Sequence, residues 1–72
     1  MTGHHLNAAI MRAHAAGDGR ALSRLYERAA DRAGGDGACA FFLTQAWVHA
    51  LEAGACEAEA LRGRLRAMGR ER

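Results

Sequence analysis

The chain has 72 residues, half of them apolar, and ten basic against eight acidic side chains give a net charge of +2. That length makes one small domain, burying only about 60% of the surface its unfolded form exposes, and the charge is far from that of a dedicated nucleic-acid binder. Proline is absent and only Val48 and Ile10 are β-branched aliphatics, so a sheet has almost nothing to be built from. Eighteen alanines favour helices that approach closely. The basic residues are all arginine, which reads as the GC-rich coding bias of some bacteria. The N-terminus has no basic region followed by an apolar run, and the longest apolar stretch, 38–43, is far short of a membrane span. Two cysteines without a secretion signal point to free thiols in a reducing cytoplasm.

Residues 1–5 read as a frayed terminus, with Thr2 or Gly3 as a helix start. His4 and His5 point about 100° apart on a helix, so they do not share one metal ion and read as solvent-exposed. Leu6, Ala9, Ile10 and Ala13 predict a first helix over 6–16, closed by Gly17 in the left-handed region. Asp18 caps a second helix over 19–33, and so short a connection demands a tight antiparallel hairpin. Leu22, Leu25, Tyr26, Ala29 and Ala33 face inward there. On the opposite side Arg24 with Glu27, and Arg28 with Asp31, pair at i, i+3 as a solvated face.

Glycines at 34, 35 and 37 break the chain, and Asp36 offers the next N-cap. The stretch 38–54 is then the central helix. Leu43, Ala46, Trp47, Ala50 and Leu51 form one apolar stripe, while Phe41, Gln45 and Val48 run along a second line. A helix apolar on two sides belongs between neighbours. The fourth helix, over 56–68, turns Ala58, Leu61, Leu65 and Met68 inward, with Gly63 as a place for a close crossing. Its acids come first and its arginines last, which suits the helix dipole. A tail, 69–72, follows.

The two halves match at a spacing of 37 residues: Leu6 with Leu43, Ala9 with Ala46, Ile10 with Trp47, Ala13 with Ala50 and Gly17 with Gly54. A helix of about eleven residues, a glycine turn and a second helix, repeated at close to 34 residues, resembles the tetratricopeptide repeat. Leu43, Trp47, Ala50 and Gly54 carry the resemblance in the second unit. Leu6, Ala9, Ile10, Gly17, Asp18, Tyr26 and Ala29 carry it in the first. The resemblance implies that the first helix of each hairpin lines a peptide-binding face. By register that face holds Asn7, Met11 and His14, then Phe41, Thr44, Gln45, Val48 and Glu52. Phe41 and Val48 are therefore core or contact surface, and so short a chain favours core or a dimer contact.

Other chemistry has little to stand on. Cys39 and Cys56 begin successive antiparallel helices about 25 Å apart, beyond disulfide reach. Neither has a cysteine neighbour for zinc. His49 lies near Cys56 in sequence without an oxyanion-stabilising loop, and residues 34–37 lack the lysine of a phosphate loop. The expectation is an all-α, non-enzymatic, cytoplasmic protein without metal, cofactor or membrane contact. Its four helices form two antiparallel hairpins, 6–33 and 38–68, in a tetratricopeptide-like superhelix or a compact four-helix bundle. It binds a protein or peptide, or a second copy as a homodimer. A regulator using Arg62, Arg64, Arg66, Arg70 and Arg72 on nucleic acid is the alternative, ranked lower because no aromatics interleave with those arginines.

Overall fold

Four α-helices follow one another along the computed structural model, which describes residues 2–69 and the side chains of residues 5–69: α1 Thr2–Ala16, α2 Gly19–Arg32, α3 Asp36–Ala53 and α4 Glu57–Ala67. No strand occurs among the described residues, as the scarcity of β-branched residues requires. Met1, the side chain of His4, and Arg70 and Arg72 lie outside what is described. The segment read as a frayed terminus is helical from Thr2. It contains no proline, and a helix already nucleated propagates at little cost.

Two glycine turns repeat each other at the 37-residue spacing. Gly17 and Gly54 both adopt left-handed backbone, at φ 67° and 66°. In the first turn the Gly17 N–H donates to His14 O at 3.1 Å and the Asp18 N–H to Ala13 O at 3.0 Å. In the second, Gly54 donates to Leu51 O at 3.1 Å and Ala55 to Ala50 O at 2.9 Å. This paired pattern satisfies the last helix carbonyls, and a side chain at either glycine would strain the backbone. Asp18 then caps α2, its carboxylate accepting from the Ala21 N–H at 3.1 Å. Asp36 does not cap α3. Gly35 occupies that place without a side-chain bond, and Asp36 lies inside the first turn, where its charge complements the dipole.

Backbone contacts among the described residues join only consecutive helices: α1 to α2, α2 to α3 and α3 to α4. The Cα trace measures 32 × 29 × 12 Å, thin in one direction. The core gathers Ala30, Leu43, Ala46, Ala50, Ala55, Leu61 and Leu65, with Tyr26, Cys39, Phe42, Trp47, Ala58 and Met68 packed on it. Both cysteines are free. On α2 the buried residues are Leu22, Ser23, Ala29 and Ala30, whereas Leu25, Tyr26 and Ala33 are half-buried. The inward sector is broader than expected because α2 lies between α1 and α3. Close helix approach occurs at Gly19, not Gly63. A methyl group on Gly19 would lie 3.3 Å from Ala53 Cβ, while Gly63 faces open space.

Charge pairing also differs from the expected intrahelical pattern. The Arg64 guanidinium of α4 donates to Glu27 and Asp31 of α2, both at 2.9 Å. Its bonds to Asp31 first, then Glu27, hold its pKa above the usual arginine value, against the lowering effect of partial burial. Because the folded value is the raised one, this stabilisation is complete below the ordinary arginine pKa and is lost only as pH rises through the folded value. The groups are substantially solvent-exposed, so screening limits its worth. A double-mutant cycle of Arg64→Met with Asp31→Asn, followed by urea unfolding, is expected to give a coupling of about 0.5–1 kcal/mol. Zero coupling would show the pair to be idle.

Candidate functional site: the outer face of α1 and α3

One side of α3 makes the core and the opposite side meets solvent. Ala40, Leu43, Ala46 and Ala50 are buried. Phe41 is 57% exposed, Val48 37% and Leu51 54%. The position of Leu51 corrects its assignment to the inner stripe. It stands three residues after Val48, so it extends the outer apolar line. Phe41 and Val48 likewise do not enter the core of this chain. Among the described residues α3 has α2 and α4 as neighbours and no helix over its outer face, which is why a second apolar line stays uncovered.

Polar side chains border this line. Thr44 is exposed, and its hydroxyl donates to Ala40 O at 2.8 Å, leaving its methyl and oxygen lone pairs for the surface. Gln45 is half-buried and Glu52 exposed. The Glu52 carboxylate lies 3.8 Å from His49 Nδ1, an ion pair only when the imidazole is protonated.

α1 joins this face through rings. His14 Nε2 and the Tyr26 hydroxyl are 3.3 Å apart in a hydrogen bond. The His14 ring stands edge-on to Tyr26 at 6.3 Å and to His49 of α3 at 5.7 Å. Tyr26 stacks on His49 at 5.5 Å with planes 2° apart, and on Phe42 at 6.3 Å. Phe42 in turn meets Phe41 edge-on at 5.4 Å. A continuous series of rings thus leads from α1, over α2, to the exposed phenylalanine of α3. Asn7 and Met11 precede His14 at helical spacing on the same side of α1, and both are exposed, Met11 by 66%.

The eight residues expected to form a contact surface therefore divide into two groups. Phe41, Thr44, Gln45, Val48 and Glu52 share the outer side of α3. Asn7, Met11 and His14 share a side of α1, and the His14 ring reaches His49 of α3. Sequence reasoning missed Leu51 as a surface residue, and Tyr26, Phe42 and His49 as the connection between the groups. The i, i+7 spacing of Phe42 and His49 on one side of α3 was the available signal. Among the described residues no three His, Cys, Asp or Glu side chains gather as metal ligands, and no helix is long and apolar enough to cross a membrane. Compared with protein-family models, with curated proteins and with solved structures, the chain matches none.

Proposed function

We propose that this chain is a small, non-enzymatic interaction module that docks an amphipathic helix or peptide of another protein on the outer face of α1 and α3. The observation that carries the reading is the exposure of Phe41, Val48 and Leu51 on the very helix whose opposite side forms the core. Such a patch amounts to about a few hundred Å², the size of patch that on monomers is often functional. A standard interface buries about 800 Å² from each partner, so a single helical segment suits the patch better than a whole second copy. In this mode apolar anchors at i, i+3, i+4 and i+7 of the incoming helix supply affinity. Gln45, Glu52, Asn7 and His14 orient it. The resemblance to tetratricopeptide repeats belongs to the same proposal, supported by the two matching glycine turns and by the contact of the His14 ring of α1 with His49 of α3.

Light scattering over a concentration series, with affinity capture by wild type and Phe41→Glu in parallel, tests the reading. The expected result is a monomer in both proteins, with a captured protein that the substitution releases. A wild-type dimer that Phe41→Glu splits into folded monomers would assign the face to self-association. Equal capture by both proteins would remove the face from function.

A further inference from the structure

The expected pairing of Arg24 with Glu27 and of Arg28 with Asp31 leaves only Arg20 and Arg32 uncompensated on the outer side of α2. The structure redistributes those charges. Both carboxylates are engaged by Arg64, and among the described residues Arg12, Arg20, Arg24, Arg28 and Arg32 form no ion pair. All five are exposed. Four of them stand at i, i+4, i+8 and i+12 on α2, a ridge with steps of about 6 Å along the helix axis. Arg12 comes from α1 across a cleft of about 320 Å³, lined by Leu6, Ala9 and Leu25 together with Arg12, Arg28 and Arg32. A second cleft of the same volume shares Leu25 and Arg28 and continues to Arg24.

Helix stability does not explain this ridge. Like charges at i, i+4 oppose helix formation. Arg20 sits near the start of α2, where the dipole disfavours a cation and where the first turn holds no acidic residue. Arg32, in the last turn, is the member of the ridge that the dipole favours. Evenly stepped guanidiniums suit a linear polyanion carrying a charge on every unit, and their planar forks suit bidentate contact with phosphate.

We propose that Arg20, Arg24, Arg28 and Arg32, with Arg12 across the cleft, bind the phosphate backbone of a nucleic acid without reading its sequence. No aromatic ring of the described residues other than His5 lines either cleft, so the contact is to phosphate, which positions a strand and does not specify bases. This moves the nucleic-acid surface from the arginines of α4, where Arg64 is already occupied, to α2. It is independent of the α1–α3 face.

The test is fluorescence anisotropy with a short mixed-sequence duplex DNA at rising salt. Neutralising five phosphates predicts a slope of about −4.5 for log K against log salt, so wild-type affinity falls about 500-fold between about 50 and 200 mM salt. Arg24→Gln/Arg28→Gln/Arg32→Gln, checked as folded by circular dichroism, is expected to show a slope of about −1.8 and a fall of about twelvefold. Arg62→Gln/Arg66→Gln and Phe41→Glu are expected to keep the wild-type slope. The proposal is overturned if wild type does not bind at low salt or if the triple variant keeps the wild-type slope. Loss of the slope in the α4 variant, or polyglutamate competing as well as DNA, would overturn it too.

Discussion

Leu43→Ala is expected to lower stability by about 3 kcal/mol, within the range measured for emptying a leucine site. Leu43 is 1% exposed and belongs to the cluster that joins α3 to Leu61 and Leu65 of α4. Removing its isobutyl group takes apolar surface out of the core and leaves a cavity that rigid helices fill only in part. In a domain of this size each kcal/mol moves the melting midpoint by about 4–8 °C, so a drop of about 12–24 °C should appear in a thermal scan. Small domains have little stability in reserve, and a measurable fraction of the variant should be unfolded at growth temperature. A change of only a few degrees would mean that Leu43 is not at the centre of the core.

Ala46→Leu is expected to cost about 2 kcal/mol by the opposite route, overpacking. Ala46 and Ala50 are fully buried on α3, Ala30 is buried on α2, and Gly19 comes close to Ala53 at the other end of the same seam. Small side chains along both helices set how closely their backbones approach. A leucine in that seam has no space unless the helices separate or adopt strained rotamers. The urea midpoint should fall while a parallel Ala15→Leu variant, on the exposed side of α1, changes by no more than about 0.5 kcal/mol. Tolerance at position 46 equal to that at position 15 would show that α2 and α3 are not closely apposed.

Four helices and their glycine turns were legible because each depends on local chemistry. Gly17 and Gly54 end helices through their freedom at positive φ, and Asp18 caps through a bond three residues away. What escaped depends on tertiary neighbours. Periodicity put Phe41, Gln45 and Val48 on one line of α3, but it does not say whether a helix covers that line. The same limit misplaced Leu51. Intrahelical spacing paired Glu27 and Asp31 with arginines three residues away. Their actual partner lies 37 and 33 residues along the chain. Gly63 and Gly19 are equally small in the sequence, and only the packing of α2 on α3 makes Gly19 the tight one. On the α1–α3 face, the residues themselves were readable from helical register. The ring contacts from His14 through Tyr26 to His49 were not, because they join three separate helices.

The buried and free sides of α3 lie two residues apart, at Leu43 and Phe41. The most direct test is the urea midpoint of Phe41→Glu beside wild type. A charge on the free side is expected to change stability by no more than about 0.5 kcal/mol, as at ordinary surface positions. A loss as large as that expected for Leu43→Ala would place Phe41 in the core and leave no docking face on α3.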